Sequence, residues 1–294
     1  MDNLNLFNVM MVGGGDDDTS LASQDLVRFS APTAFKIKVA DKANSNSTAF
    51  DFSYKRQRDV EWVSQAVTQA SATTSNWIDV DANEIIYFKA STTAWSNATR
   101  KVGFLLSGTG HDVGVSGNAQ TLINNQAMGT DYCFDSLFSG CTNLKYANAF
   151  TLPWYNATPY CYQKMFKGCQ YLTTVPSLTP SSLAIYCYAE MFMDCSNLVS
   201  PPSINSYAST AKAYCFDGMF AGCSKLTTYL SIPSQGLADY CYAGMYASCT
   251  KLSTAPALPA TTLADGCYSQ MFEYCTALTS APTLAATALK DDCY

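Results

Sequence analysis

The chain has 294 residues, a mass of 31.8 kDa, 48% apolar residues and only 14% charged ones, which supports a packed interior in one large or two ordinary domains. Lys plus Arg (17) against Asp plus Glu (23) leave a net charge of −6, which argues against a protein that tracks nucleic-acid phosphates. No run of about 18 uninterrupted apolar residues occurs, so no membrane-spanning helix is expected, and the single histidine, His111, leaves few ways to build histidine-based catalysis or a multi-histidine metal site.

The first residues hold a short apolar run, Leu4, Leu6, Phe7, Val9, Met10 and Met11, followed by Gly13 to Gly15 and Asp16 to Asp18. A signal peptide needs a positive flank, and here Asp2 comes first and no basic residue precedes Arg28, so standard secretion is not expected. The three aspartates lack the alternate spacing of a calcium loop and read as a solvated linker. An apolar peptide on a Gly/Asp tether reads as a docking arm.

Period-two alternation follows at Phe35, Ile37, Val39, at Phe50, Phe52, Tyr54, and at Val113, Val115, with further strands expected at Glu61 to Val67, Trp77 to Val80, Glu84 to Ala90 and Lys101 to Leu106. Short strands at this density predict a β-sandwich over residues 21–125. The cluster Lys55, Arg56, Arg58 reads as a solvated edge strand, and His111 beside Asp112 has no nucleophile at a recognisable spacing.

All 13 cysteines lie at or after Cys133. Within each pair the separation is 8 residues, and the first cysteine advances by 28, 26, 28, 26, 26 and 26, a period of about 27 that predicts stacked repeats over residues 126–294. Tyr-Cys-aromatic recurs, as at Tyr160 to Tyr162. Four residues after the first cysteine comes Met or Leu, then Phe or Tyr, and three after the second cysteine comes Leu. At the helical turn of about 100° per residue these positions share one face, so Cys161, Met165, Cys169, Leu172, Cys187, Met191, Cys195 and Leu198 are predicted as core; Gly140, Gly168 and Gly222, just before the second cysteine, mark the end of a two-turn helix and put the leucine in a following turn or strand. Short runs closed by proline, such as Leu172 to Pro176 and Leu252 to Pro256, read as one brief strand per repeat.

Cysteines eight apart on a helix are about 12 Å apart, and neighbouring helices sit roughly 8–10 Å apart, too far for a disulfide. Zinc sites need closer cysteines or histidines. Buried, reduced thiols acting as small hydrophobes are therefore expected, with no metal and no cofactor. Off-pattern aromatics such as Tyr171, Tyr207 and Tyr229 are candidate surface contacts.

The unit "LSTAPALPATTLADGCYSQMFEYC", residues 252–275, resembles the BspA-like leucine-rich repeat of Bacteroidales surface proteins and of phages of those bacteria, over roughly residues 130–294. The segment before it, with "IIYFKAS" and "VGVSGNAQTLI", is similar to the small β-domain that often precedes such repeats. The resemblance implies a right-handed α/β leucine-rich-repeat solenoid used for adhesion rather than catalysis, here following an all-β sandwich. The expected function is a non-enzymatic bacteriophage head or tail fibre on the virion surface. Residues 1–20 would attach it to capsid or tail proteins. The repeats would present Thr173, Thr174, Thr227, Thr228, Ser253 and Thr254 to a host-surface glycan or protein. A homodimer or homotrimer is expected, without nucleic-acid or membrane partners; the other reading is a bacterial surface adhesin without its signal peptide. The last repeat begins at Cys293 and Tyr294, so a cap from a partner or further chain is expected there.

Overall fold

The structure is a computed structural model that describes residues 25–42, 50–67, 76–90, 95–97, 101–125, 130–153, 157–204, 210–232 and 236–294. The N-terminal arm and Tyr207 lie outside the described residues.

The described residues form nine strands: β1 (Val27–Ser30), β2 (Phe35–Asp41), β3 (Phe50–Arg56), β4 (Val63–Val67), β5 (Ile78–Val80), β6 (Ile85–Lys89), β7 (Val102–Ser107), β8 (Val113–Asn118) and β9 (Leu144–Thr151). They form a six-stranded sheet of order β4-β3-β6-β1-β8-β9 and a three-stranded sheet of order β5-β2-β7. All pairings are antiparallel except β8 with β9. The alternation of Phe35, Ile37 and Val39 buries one face of β2. The sheets meet through Phe29 of β1, Phe88 of β6 and Phe104 of β7, with ring centroids 4.8 Å (Phe29–Phe104) and 4.9 Å (Phe88–Phe104) apart.

The expected fold class is overturned in the second half. The described residues are 23% strand and 2% helix, without an α-helix, so the repeats do not form an α/β leucine-rich-repeat solenoid. Each segment between paired cysteines is a run of tight turns. Residues such as Cys161, Gln163, Met165, Lys167 and Cys169 donate their amides three residues back, to Thr158, Tyr160, Tyr162, Lys164 and Phe166, at 3.0–3.2 Å. The amides in between leave the coil: Tyr160, Tyr162, Lys164, Phe166 and Gly168 donate to the carbonyls of Ile185, Cys187, Ala189, Met191 and Met193 in the next one, at 2.8–3.0 Å. An α-helix needs every interior amide for its own carbonyl four residues back, and here alternate amides are spent between coils.

This backbone returns to the same orientation every fourth residue, because every fourth residue is left-handed: Tyr160 (φ 60°), Lys164 (φ 56°) and Gly168 (φ 73°) in one coil, Tyr186, Glu190 and Asp194 in the next. Glycine at 168 is therefore one instance of a repeated turn position rather than a helix stop. A period of four explains why Cys161, Met165 and Cys169 are all fully buried with Tyr162 and Phe166 beside them. The predicted core residues are in the core, on a different backbone.

The predicted strand per repeat also fails. Past β9, among the described residues, only isolated parallel bridges join neighbouring coils on that side, at Tyr146–Thr174, Leu178–Ile204 and Leu258–Leu284. Pro176, Pro202, Pro256 and Pro282 remove a ladder donor from four of the five later runs.

Three aromatic columns run along the stack. Tyr132, Tyr160, Tyr186, Tyr214 and Tyr240 stack at 4.3–5.0 Å. A second column, buried from Phe134 through Tyr162, Tyr188, Phe216, Tyr242 and Tyr268, ends on the exposed Tyr294, with spacings of 5.4–6.1 Å. The third, Phe138, Phe166, Phe192, Phe220, Tyr246 and Phe272, stacks at 5.1–5.9 Å and begins one ring earlier, on Phe104, 5.7 Å from Phe138. Helices packed about 8–10 Å apart could not bring these rings together.

Phe104 stands in for a coil before the first. Its amide donates to Leu137 O at 2.7 Å, as Phe138 does to Met165, and its carbonyl accepts from Cys141 Sγ at 3.0 Å. The other axial carbonyls of the first coil are also met by the β half: Cys133 O by the Ser96 amide (2.8 Å), Asp135 O by Ser96 Oγ (3.2 Å), and Ser139 O by Lys42 Nζ (2.5 Å).

One coil departs from its neighbours in a compensated way. Where the others have Pro176, Pro202, Pro256 and Pro282, this coil has Leu230, whose amide needs an acceptor. In the following coil the phenylalanine column is occupied by Tyr246, and its hydroxyl accepts from Leu230 N at 2.9 Å. Tyr246→Phe should therefore cost about 1–3 kcal/mol in urea unfolding by stranding a buried amide, and adding Leu230→Pro should recover most of that loss. Additive effects of the two changes would contradict the pairing.

Candidate functional site

The thirteen thiols are free and buried. Coils stacked as closely as the rings show remove the distance argument against disulfides, so the thiols' bonding matters. The second cysteine of each pair donates to the carbonyl of the column aromatic one coil earlier: Cys169 to Phe138, Cys195 to Phe166, Cys223 to Phe192, Cys249 to Phe220 and Cys275 to Tyr246, at 3.0–3.2 Å. The thiol is thus a directional donor as well as a small apolar group. Burial pushes Cys133 up to about 11 and Cys187, Cys223 and Cys241 up to about 12, so these sulfurs stay protonated and unreactive at neutral pH.

An unfolded thiol ionises near 9, so above that pH thiolate formation favours the unfolded chain while the folded thiols still hold their protons. Stability from the cysteines is fully present below about 9 and drains away as pH rises toward 12. The melting temperature should be level through neutral pH and fall by roughly 10 °C or more between pH 8 and 10.5. A scan that stays flat to pH 11 would contradict the burial of protonated thiols.

Among the described residues no group of three or more His, Cys, Asp or Glu side chains could hold a metal ion, and no helix is long and apolar enough to cross a membrane. Several ionisable groups are committed to one another. Arg56 chelates Asp59, and Arg58 pairs with Asp81 and Glu84. This cluster is not the solvated edge expected of it, because β3 lies between β4 and β6. The His111 ring lies flat on Tyr171 at 3.8 Å, joining a loop of the β half to the second coil, and Asp112 accepts from Thr33 Oγ1 at 2.8 Å. Glu190 is held by Lys164 and Lys167, and burial, then Glu190, pushes neighbouring Asp217 up to about 6.

What the stack offers to solvent is a double row of short polar side chains beyond each buried leucine. Thr173, Thr227 and Ser253 are exposed in one row; Thr228 and Thr254 are exposed in the next, with Thr174 half-buried. The sequence reading identified these six, and the turns bring them into register. Thr173 Oγ1 donates to Lys145 O at 3.1 Å and Thr227 Oγ1 to Val199 O at 3.2 Å, each reaching back one coil. Val199, half exposed, interrupts the first row, and Ser200 continues the second.

Tyr229 belongs to this face and is 38% exposed. It lines a groove of about 700 Å³ with Ser200, Pro202, Ser203, Thr228 and Ser231. The sequence singled out Tyr229 only as an off-pattern aromatic. The groove depends on two adjacent coils having different residues at equivalent places, which periodicity averages away.

No family model matches the chain, and no curated protein or solved structure matches it.

Proposed function

We propose that the protein is a non-enzymatic fibre of a bacteriophage particle that grips the host surface through the hydroxyl-bearing face of its repeat stack. The observation that carries this reading is that face: two adjacent rows of Thr and Ser side chains, broken in the third coil by Val199 and mostly exposed, on a scaffold bonded from coil to coil. Repeated short polar groups at fixed spacing suit weak, multivalent contact with glycans or surface proteins, in which several poor sites acting together gain 10²- to 10⁴-fold in about this way. Arg56, Arg58 and Glu190 sit in structural ion pairs, and the buried cysteines are protonated at neutral pH, which leaves the exposed hydroxyls as the repeated polar chemistry of this face.

The particle context rests on the resemblance to repeats found in Bacteroidales surface proteins and their phages, and on the apolar arm of Leu4 to Met11, which would dock to a capsid or tail protein. A dimer or trimer in the particle would multiply the number of faces presented.

Fluorescently labelled full chain should bind Bacteroidales cells. Replacing Thr173, Thr174, Thr227, Thr228, Ser253 and Thr254 together by Ala should weaken that binding roughly tenfold or more while leaving the melting temperature within a few degrees. Antibody to the stack should decorate intact particles, and particles made with residues 1–18 deleted should lose the label. Undiminished cell binding by the alanine variant, or label on no particle, would contradict the respective half of the proposal.

A further inference from the structure

The groove around Tyr229 deepens the adhesion reading, on which it rests, by giving one place on the stack a distinct ligand chemistry. Its position coincides with the one compensated irregularity in the repeat. In the second, third, fifth and sixth coils the equivalent pair is Val175-Pro176, Pro201-Pro202, Ala255-Pro256 and Ala281-Pro282, and in the first, within β9, Ala147-Asn148; here it is Tyr229-Leu230. The tyrosine replaces a small or rigid residue, and the amide that comes with Leu230 is met by Tyr246 OH at 2.9 Å, a hydroxyl that the other members of that column lack. A large aromatic is thus installed at the surface, and the backbone change beside it is satisfied from inside the core.

The wall of the groove is an aromatic ring, prolines and aliphatic side chains interleaved with the hydroxyls of Ser200, Ser203, Thr228 and Ser231, and among the described residues no carboxylate, lysine, arginine or histidine lines it. Ser203 Oγ is 2.8 Å from Ser177 Oγ of the previous coil, continuing the hydroxyl row into the groove. A pyranose has the complementary surface: an apolar face of C–H groups that packs on an aromatic ring, and a rim of hydroxyls that both donate and accept. An anionic sugar would be desolvated here without a cationic partner. A volume of about 700 Å³ lies in the range of small-molecule sites and admits a short oligosaccharide. We infer that the groove between the third and fourth coils is a subsite for a neutral oligosaccharide, with Tyr229 as its stacking platform and the serine and threonine hydroxyls as its polar contacts.

The test is saturation-transfer NMR and titration of the full chain with neutral probes (maltohexaose, chitohexaose, mannohexaose and a galactan fragment), with sialyllactose and a heparin hexasaccharide as acidic comparators. At least one neutral probe should bind, and Tyr229→Ala should weaken it tenfold or more. The triple variant Tyr229→Ala, Leu230→Pro, Tyr246→Phe rebuilds the coil after its neighbours. It should show the same loss with a melting temperature close to the parent's, which separates loss of a site from loss of fold. The subsite is overturned if the parent binds none of the neutral probes, if it prefers an acidic one, or if both variants bind as the parent does. Overturning it while cell binding still depends on the Thr/Ser row would remove the subsite alone. A parent chain that binds no host cell would remove the adhesion reading.

Discussion

The structure depends on one hydrogen bond repeated along an axis: the amide that leaves one coil for the carbonyl of the next. Because alternate amides are used in this way, the coil cannot be a helix, its remaining amides close tight turns, and every fourth residue becomes left-handed. For Tyr160, Lys164 and Tyr186 that conformation has a steric cost, of order 1–2 kcal/mol each. The coil-to-coil bonds and the stacked rings offset it collectively. Isolated coils of this kind, nine residues from the first cysteine of a pair through the second, would have nothing to hold them.

Direction follows from the same bond. Within the segments between paired cysteines the inter-coil amides point from one coil toward the next, so the first coil presents carbonyls there and needs donors. The β half supplies them through a backbone amide and hydroxyl from Ser96, a backbone amide from Phe104 and the ammonium of Lys42. Lys42 is buried at this end, and burial lowers its proton affinity, while its hydrogen bonds run to Ser136 O and Ser139 O. A continuous apolar core runs from Val27 to Cys293, with Phe104 in contact with both sheets and with the stack. Adhesion, as proposed, would use this rigidity: hydroxyls held in register lose little entropy on binding.

Much of this was legible in the chain. The period of about 27 residues, the identity of the buried columns and the exposed Thr/Ser positions all follow from spacing. The alternation at Phe35, Ile37 and Val39 marked β2, whereas β1 was too short to announce itself and β9 was hidden inside the first repeat. The helix was misread for a specific reason: apolar residues at a four-residue period also fall on one side of a helix with 3.6 residues per turn. The discriminating signal was the recurrence of aromatics at three fixed offsets, which can stack only if coils lie closer than helices can. Phe104 and Ser96 carry no repeat signature, so their role as a coil before the first could emerge only in three dimensions. The Tyr229 groove arises where one repeat breaks the rule, and Leu230 with Tyr246 shows the break only when the two are seen to touch.

The most direct test of this account is NMR detection of couplings across individual hydrogen bonds. The amide of Phe166 should couple to the carbonyl of Met191 in the next coil, and the amide of Met165 to that of Tyr162, three residues back. A coupling from Phe166 to Tyr162, four residues back, would mean a helix and would contradict the stack of turns on which the fold and the proposed binding face rest.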